Sequence, residues 1–494
     1  MITGHATATA DRLEAPPAHP KDTAMSNPPP LAGGPQGPEA LRPLLDTVLD
    51  ALHDGAIARG GPLPAGGPHT VTTRLRDVIG DPLPHHGTGP DAALRTLVQA
   101  LAEGAADPAD PLCAAHLHCP PLALAAAADL AASALNPSMD SWDQAPAASA
   151  LETLVTDALA HEVYGDTGHP GQSGRPGHPQ ALVTTGGTEA NQLALLLARE
   201  SHASEGPLQL ITGAGAHHSL PRAAWLLGLP DPVTVPAPTG TLDPAALDEA
   251  LTDLPGPKLV AATAGTTDAG LIDPLPEIAD ICEHHGARLH IDASYGAGLL
   301  FSPTRRTQLT GLDRAATVTL DLHKLGWQPV AAGLLAVRNP ADLTPLTHHA
   351  DYLNADDDTE AGLPDLLGRS LRTTRRPDIL KIAVTLKALG RTGLGALVDQ
   401  VCDQAQEFAA TLHAHPGFDL YDTPTLSTVL FRPRGAPDER IAHIRRTLLT
   451  QGRAVLGRAR MDGRLWLKAT LLNPHTQPGD LAQLLKLVEG NTTR

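Results

Sequence analysis

The stretch TVTLDLHKLGWQP, residues 317–329, carries the feature on which the interpretation of this chain depends. Polar and apolar residues alternate from Thr317 to Asp321, which predicts a β-strand with two different faces. The strand ends at His323 and Lys324. A lysine at the tip of an apolar strand is most often a solvated strand end, so its meaning depends on what the neighbouring strands carry.

Short apolar runs recur around this stretch at intervals of roughly 20 to 40 residues, separated by helical segments or turns. Parallel strands that are buried on both faces and joined by crossover helices give this pattern. Residues 180–340 are therefore predicted to form an α/β domain with a mostly parallel sheet. The runs are ALVTT (181–185), LQLIT (208–212), KLVAAT (258–263), RLHIDA (288–293), ATVTLDL (316–322) and GLLAVR (333–338).

The remaining segments complete the predicted domain organisation. Residues 1–40, rich in Pro, Gly and Ala, are predicted to be a disordered tail. Residues 41–120 form an N-terminal segment with helices predicted at 41–60 and 92–105. The large domain is assigned to residues 121–380. A long helix near 396–413 is followed by the alternating runs LSTVLFRP, GRAVLG and RLWLKATLLNP, which predict a small α+β C-terminal domain over residues 381–494.

Composition excludes several classes of function. The formal charge of −18 argues against a nucleic-acid partner and against an anionic membrane surface. No run of about 18 apolar residues is present, so we expect no membrane span. The N-terminus lacks a basic region followed by an apolar one, so no secretory signal is expected. Four cysteines in 494 residues do not form a disulfide framework, and the sequence indicates a reduced, cytoplasmic protein.

Ligands of open α/β sheets bind at the carboxyl ends of the strands, so strand-end residues are the candidates for a site. The first strand ends in Thr185-Gly186-Gly187-Thr188, and a helix is predicted to begin at Glu189 or the next residue. Glycines allow close backbone approach, and a helix N-terminus presents free N–H groups to a phosphate. The alternative is an ordinary glycine turn in which Thr188 caps the helix.

Four later strand ends add further candidates. His217 follows a glycine-rich turn and could stack on a flat ring, although a capping or surface histidine is the plainer interpretation. Thr267 follows a strand in the run Gly-Thr-Thr. Asp292 ends an apolar strand, where a buried carboxylate needs a cationic or hydrogen-bonding partner, and Ser294 follows it. Lys324 comes after the next strand.

Taken in this order, the candidates supply what is needed to hold pyridoxal 5'-phosphate. The turn at Gly187 and Thr188 would hold the phosphate, and His217 would stack on the ring. Asp292 would pair with the protonated pyridine nitrogen and keep the ring an electron sink, while Lys324 would form the imine that is exchanged for the substrate amine. A lowered pKa is expected for this lysine, because the neutral amine is the nucleophile.

At these residues the chain resembles the group II pyridoxal-phosphate-dependent amino acid decarboxylases, over roughly residues 90–490. The resemblance implies the fold type I, aspartate-aminotransferase-like architecture, with a large mostly parallel seven-stranded sheet and a small α+β C-terminal domain. It matches Lys324 to the family's Schiff-base lysine, Asp292 to the pyridinium partner and His217 to the ring-stacking histidine. It further assigns the cofactor-binding positions Gly187, Thr188, Thr267, Ser294 and His323.

Within that family, the chain is most similar to L-2,4-diaminobutyrate decarboxylases and the lysine or diamine-forming decarboxylases of siderophore pathways. This implies an amino acid substrate, specifically a diamino acid, and a homodimer in which the N-terminal segment packs on the partner. His116 and His118 are then candidate substrate contacts. A zinc site is the other interpretation of these histidines, but no ligand set accompanies them, so no metal is expected. The similarity rests on NPSMDSWDQ (136–144), HKLGWQP (323–329), HHADYLN (348–354), SLRTTRRPDILK (370–381) and LKATLLNP (467–474).

Some positions depart from the family pattern and leave questions open. Ser294 stands where many members have alanine, and Gly326 stands where an aromatic is frequent. Tyr352 aligns poorly with the loop tyrosine that protonates the carbanion in relatives acting on aromatic substrates, so His217 or a solvent molecule is the alternative proton donor. Two other function classes also stay open: another pyridoxal reaction, such as amino transfer or decarboxylating oxidation, and a non-catalytic dimeric scaffold.

Overall fold

The structure is a computed structural model that describes residues 28–165, 178–350 and 353–492, without the side chain of Thr359. Most of the predicted tail, residues 1–27, and Tyr352 lie outside the described residues. The prediction was wrong for residues 37–40, which belong to the first helix, since that helix begins at Gly37.

Thirteen α-helices occur in the described ranges. The predicted N-terminal helices are found as α1 and α3, with a further helix between them. The helices are α1 (Gly37–Arg59), α2 (Gly67–Ile79), α3 (Pro90–Gly104), α4 (Ala123–Leu135), α5 (Pro146–Tyr164), α6 (Gly187–Ser201), α7 (Ser219–Leu226), α8 (Pro244–Thr252), α9 (Leu275–His284), α10 (Asp356–Glu360), α11 (Ile379–Ala414), α12 (Asp438–Thr450) and α13 (Pro478–Glu489).

A seven-stranded sheet forms the centre of the large domain, in the order β2-β8-β7-β6-β5-β3-β4. Strand β8 pairs antiparallel with both of its neighbours, and the other pairs are parallel. The mostly parallel sheet predicted from the apolar runs is therefore confirmed. In chain order the strands are β1 (Cys113–Ala114), β2 (Gln180–Thr184), β3 (Gln209–Gly213), β4 (Val233–Val235), β5 (Lys258–Thr263), β6 (Arg288–Asp292), β7 (Thr317–Asp321), β8 (Gly333–Val337), β9 (Phe418–Leu420), β10 (Thr428–Pro433), β11 (Val455–Met461) and β12 (Arg464–Thr470).

Strand β7 shows why the alternating pattern at 317–321 is not that of a solvated strand. All five of its residues are buried. Its polar side chains meet buried polar partners: Thr317 lies 2.9 Å from His290 Nδ1, and Thr319 donates to Asn191 Oδ1 at 2.8 Å. The strand therefore does have two different faces, but the polar face packs inside the protein against helix α6 instead of contacting water.

The C-terminal domain is built on a second sheet, in the order β1-β11-β12-β10-β9. Strands β9 to β12 pair antiparallel, as the alternating runs predict, and α12 and α13 complete an α+β unit. The sheet also includes β1 from the N-terminal segment, which pairs parallel with β11. This pairing fixes the position of the residues that follow β1, including Leu117.

Helix α11 joins the two domains. Val398 and Cys402 belong to the apolar core of the large domain, whereas Phe408 and Leu412 belong to that of the small domain. The helix is interrupted at Gly390, whose φ of 62° lies in the left-handed region that glycine tolerates best. The domain boundary drawn from sequence at residues 380–381 thus falls at the start of a helix that both cores share.

The N-terminal helices expose an unusual number of large apolar side chains. Helix α1 packs along α3, yet four leucines and one isoleucine on these two helices face outward. The exposed residues of α1 and α3 are Leu49, Leu52, Ile57, Leu97 and Leu101. No helix within the described ranges combines the length and the apolar character needed to cross a membrane.

Candidate active site

A cavity of about 360 Å³ opens at the carboxyl ends of strands β5, β6 and β7. This is the edge at which open α/β sheets bind ligands, and the volume suits a small cofactor. Eight residues that the sequence analysis singled out line the cavity together. These are Gly187, Thr188, His217, Thr267, Asp292, Ser294, His323 and Lys324.

Lys324 lies on the turn that follows β7, and its partner is an acid three residues earlier. Its Nζ is 2.9 Å from Oδ2 of Asp321, which is the last residue of the strand. Only 17% of the Lys324 side chain is exposed, so it is not a solvated strand end. The amine is therefore held at the cavity wall by a buried carboxylate.

Asp292 ends β6 on the floor of the cavity, and three donors hold its carboxylate. Asn191 Nδ2 donates to Oδ2 at 2.8 Å, while the backbone N–H and the hydroxyl of Ser294 donate to Oδ1 at 3.0 and 2.6 Å. Burial opposes ionisation, but the charge of Lys324 and these hydrogen bonds outweigh it and lower the pKa of Asp292. The site thus contains a carboxylate that is ionised at neutral pH and is suited to a cationic ring nitrogen.

The turn before α6 has the properties of a phosphate-binding cup. Helix α6 begins at Gly187, two residues before its predicted start, and its first-turn N–H groups have no acceptor within the helix. A Cβ on Gly187 would lie 2.2 Å from Ser294 Oγ, so only glycine fits there. The N-cap residue is Gly186 and makes no side-chain capping bond, so Thr188 is not the cap of this helix.

An ion pair between Glu189 and Arg372 lies beside the cup. Glu189 accepts from the backbone N–H of Thr185 at 2.6 Å and pairs with Arg372 Nε at 3.1 Å. A carboxylate in the first turn of a helix is favourable for the helix dipole, but it would repel a phosphate unless its charge is balanced. Arg372 supplies that balance, so the turn remains suitable for an anion.

His217 and Thr267 approach the cavity from two further loops. His217 Nδ1 lies 2.8 Å from Ser219 Oγ and 3.2 Å from Ser219 N, so this histidine also caps the start of α7. Burial lowers its pKa, which favours the neutral ring. The backbone carbonyl of Thr267 accepts from Lys468 Nζ at 2.9 Å, which ties this loop to the small domain.

His323 packs beside Lys324 and has one nitrogen left for a ligand. Its Nε2 lies 3.4 Å from Asp321 Oδ2, whereas its buried Nδ1 has no hydrogen-bond partner within the described part of the chain. Burial lowers the pKa of this histidine. Cys119 Sγ donates to the His323 carbonyl at 3.2 Å, which links the N-terminal segment to the lysine turn.

Several other positions from the sequence analysis lie apart from this cluster. His116 and His118 are exposed and do not line the cavity, although Leu117 between them does. Arg375, in the run at 370–381, forms a buried two-point ion pair with Glu152 and does not line the cavity. Gly326 also lies away from the lining, because it packs on Leu322, where a Cβ would meet the carbonyl oxygen at 2.5 Å.

Sequence reasoning missed three residues that organise the site: Asp321, Asn191 and Ser219. Asp321 stands at a strand end like Asp292, so the same argument could have found it. Ser219 is the first residue of α7 and Asn191 is the fifth residue of α6, and polar residues are ordinary near helix starts. The sequence therefore carries no signal for their contact with Asp292 and His217.

The residues present fit pyridoxal phosphate. One cavity is lined by an amine, an ionised carboxylate, an imidazole and a glycine cup. The buried Nδ1 of His323 has no hydrogen-bond partner among the described residues and could bind a group of the cofactor. Within the described ranges, no group of three or more His, Cys, Asp or Glu side chains is placed to hold a metal ion.

Comparison with known proteins identifies the family. Residues 83–434 match the pyridoxal-dependent decarboxylase conserved domain. Among solved structures, the glutamate decarboxylase domain of a protein from Vibrio parahaemolyticus, described as diaminobutyrate-pyruvate transaminase and L-2,4-diaminobutyrate decarboxylase, superposes with a TM-score of 0.82 at 29% identity. The match covers 94% of this chain and 97% of that one.

Two relatives carry the name L-2,4-diaminobutyrate decarboxylase. The relative from Rhizobium meliloti is 39% identical over 85% of this chain and 86% of its own length. The relative from Acinetobacter baumannii is 32% identical over 85% of this chain and 87% of its own. The chain therefore belongs to the pyridoxal-dependent decarboxylase family and is a pyridoxal-phosphate-dependent carboxy-lyase of fold type I.

Proposed function

We propose that this enzyme removes the α-carboxyl group of L-2,4-diaminobutyrate, releasing CO₂ and 1,3-diaminopropane. The observation that carries the substrate is the similarity, over 85% of the chain, to two relatives that bear this activity as their name. The observation that carries the reaction type is the gathering of Lys324, Asp292, His217 and Gly187 around one cavity.

The charges of the cavity lining disfavour a substrate with a second carboxylate. The two carboxylates that line the cavity, Asp292 and Asp321, are already assigned to the ring nitrogen and to Lys324, and no arginine occurs among the described lining residues. A substrate with a second carboxylate would therefore find no guanidinium there to pair with. The acidic run at residues 354–362 does not line the cavity.

Each lining residue takes a defined task. When bound, pyridoxal phosphate provides a conjugated ring that accepts the negative charge left at Cα after the carboxyl group departs. Lys324 carries the amine to which the cofactor attaches, and the N–H groups at Gly187 and Thr188 hold its phosphate. Asp292 keeps the ring nitrogen protonated, because its ionised carboxylate is fixed by Asn191 and Ser294.

The remaining residues orient the cofactor and the substrate and provide the proton that replaces CO₂. The His217 ring, which lines the same cavity as Asp292, would pack against the flat ring of the cofactor. Thr267, Ser294 and His323 line the walls between them. A proton must replace CO₂ at Cα, and it comes either from His217 or from water in the cavity. His116 and His118 are proposed to reach a substrate only in the assembled dimer.

The enzyme is proposed to act as a cytoplasmic homodimer. The outward-facing leucines of α1 and α3 support this, because exposed apolar patches of this kind mark protein interfaces. The N-terminal segment, residues 41–120, would then pack on the partner. All four cysteines are free thiols, as expected in a reducing compartment. Light scattering coupled to size exclusion would give twice the chain mass of 51.3 kDa.

The substrate proposal is tested with a panel of amino acids supplied to the purified enzyme with pyridoxal phosphate. Lysine, ornithine, 2,4-diaminobutyrate, aspartate, glutamate and aromatic amino acids are compared for CO₂ release, amine product and O₂ uptake. We expect the highest kcat/KM for 2,4-diaminobutyrate, with equal yields of CO₂ and 1,3-diaminopropane.

The same panel separates the alternatives. Greater activity on lysine or ornithine would identify a different substrate for the same decarboxylation. O₂ uptake with an aldehyde product would indicate decarboxylating oxidation. Keto acid formation without CO₂ would indicate amino transfer. No cofactor absorbance band and no product from any substrate would indicate a non-catalytic scaffold.

A further inference from the structure

The hydrogen bonds around His217 determine which of its ring nitrogens carries the proton. The backbone N–H of Ser219 lies 3.2 Å from His217 Nδ1, and a backbone N–H can only donate. Nδ1 is therefore the acceptor of this bond, which favours a ring without a proton on Nδ1. In the neutral ring, the proton then resides on Nε2.

The hydroxyl of Ser219 is compatible with this direction, since it can donate to the same nitrogen. Its Oγ lies 2.8 Å from Nδ1 and 2.8 Å from Nδ2 of Asn191. The amide nitrogen of Asn191 donates to Oγ, so the hydroxyl proton is free to point at His217.

Asn191 is itself held in one orientation by Asp292. The ionised carboxylate accepts only, so the amide group facing it at 2.8 Å must be Nδ2. The other side of the amide, Oδ1, then accepts from Thr319 Oγ1 at 2.8 Å and from His290 Nε2 at 3.0 Å. Both amide hydrogens of Asn191 therefore have an acceptor, and both partners of its oxygen are donors.

Water does not compete for these bonds, because the network is buried. Asn191 and Ser219 are each 1% exposed, and His290 is fully enclosed. Hydrogen bonds in such surroundings are stronger than in water, and an unsatisfied member costs more. A flip of Asn191 would place its oxygen against the Asp292 carboxylate.

We propose that Ser219, oriented by Asn191 and Asp292, is a positioning residue that fixes His217 in its Nε2–H tautomer. The chain of contacts runs from the carboxylate on the cavity floor to the imidazole on its wall. Among the described residues, nothing hydrogen-bonds Nε2 of His217, so this N–H is left available for a ligand in the cavity. The inference holds whichever amino acid the enzyme takes.

The assignment also predicts how His217 titrates. Two donors on Nδ1 stabilise the neutral ring, so removing one makes protonation easier. The charged and titratable groups that act on this histidine are Asp292, His218, Lys324 and Asp321. None of these is altered by a substitution at Ser219.

Nitrogen NMR of the full-length enzyme tests the proposal. The histidine rings are labelled with ¹⁵N, and His217 is identified among the 24 histidines by its loss in His217→Gln. Spectra are recorded before and after addition of pyridoxal phosphate. We expect Nδ1 of His217 to resonate as an unprotonated acceptor and Nε2 to carry the coupled proton, already without cofactor.

Ser219→Ala removes the hydroxyl donor and keeps the backbone N–H. In this variant we expect some Nδ1–H tautomer to appear and the midpoint of His217 protonation to move to higher pH. Ser201→Ala, which removes a helix hydroxyl bonded to Leu197 O, is the matched control and should change neither. A proton on Nδ1 in the unaltered enzyme, or an unchanged His217 spectrum in a folded Ser219→Ala variant, would overturn the proposal.

Discussion

Lys324 Nζ and Asp321 Oδ2 lie 2.9 Å apart, and the second oxygen of this buried carboxylate has no hydrogen-bond partner within the described residues. Among the described residues, the Asp321 carboxylate therefore pairs only with Lys324 and His323. Because a hydrogen bond to a charged group contributes about 1.5–3 kcal/mol, the pair holds the amine firmly at the cavity wall.

This pair gives the first prediction. Reduction with borohydride in the presence of pyridoxal phosphate, followed by mass spectrometry, should place the phosphopyridoxyl group on Lys324. Lys324→Ala should abolish both the modification and the activity. Lys387→Ala, at an exposed position of α11, is the control. Modification of another lysine with full activity would contradict the assignment.

The second prediction concerns the contact between Gly187 and Ser294. In Gly187→Ala the new methyl group collides with Ser294 Oγ, so the cup and the Asp292 hydrogen bond are both disturbed. We expect the dissociation constant for pyridoxal phosphate to rise at least about tenfold, measured by absorbance titration. The additional change Ser294→Ala should recover part of this loss by removing the colliding oxygen.

Gly479→Ala provides the matched control for that experiment. Gly479 lies near the start of α13, and a Cβ there meets no atom within 4 Å. Cofactor binding should stay unchanged in this variant. Equal affinity in Gly187→Ala and Gly479→Ala would show that the cup does not hold the phosphate.

The third prediction follows from His290, which lies fully buried behind Asn191. Burial lowers the pKa of His290 to about 4, and the nearby Asp292 charge only partly opposes this. Between about pH 6.5 and pH 4 the unfolded chain takes up a proton at this residue and the folded chain does not. The free energy of unfolding therefore falls as pH is lowered, by roughly 2 kcal/mol between pH 6.5 and pH 5.

Urea unfolding at a series of pH values measures this effect. His290→Gln should be less stable than the unaltered enzyme at pH 7 but should lose less stability on acidification. Other buried histidines contribute in the same direction. The decisive comparison is therefore between the variant and the unaltered enzyme, in the slope of the free energy of unfolding against pH. His443→Gln, at a surface position of α12, should leave the slope as it is. Parallel slopes for His290→Gln and the unaltered enzyme would refute the prediction.

The fourth prediction concerns the ion pair of Arg375 and Glu152, whose side chains are 1% and 5% exposed. Removing one partner leaves the other charge buried without compensation, which costs about 3–5 kcal/mol. We expect Arg375→Leu to lower the free energy of unfolding by this amount, and the double change with Glu152→Leu to recover most of it. Arg376→Leu, at a side chain that is 41% exposed, should cost much less.

The sequence was sufficient to predict most of the large sheet, because six of its strands are apolar runs between turn signals. It did not reveal β4, which has only three residues, lies at the sheet edge and is largely unburied. Such a strand forms because β3 offers a pairing edge, which is a tertiary effect that local propensity does not contain.

The same distinction holds for the site. Residues that end strands, such as Asp292 and Lys324, could be found because parallel topology brings all strand ends to one edge. Asn191 could not, since it meets Asp292 across 101 positions of sequence through the packing of α6 on the sheet. His116 and His118 were selected by resemblance, and their surroundings within one chain do not explain a contact with substrate.

The antiparallel direction of β8 has a consequence for the energetics of cofactor binding. Since β8 starts at the same edge at which β7 ends, the segment bearing Lys324 is short and is closed by a hydrogen bond from Leu322 N to Ala332 O at 2.8 Å. Its conformational entropy is therefore lost when the protein folds and not when the cofactor arrives. The lysine is preorganised, so more of the intrinsic interaction energy remains as affinity.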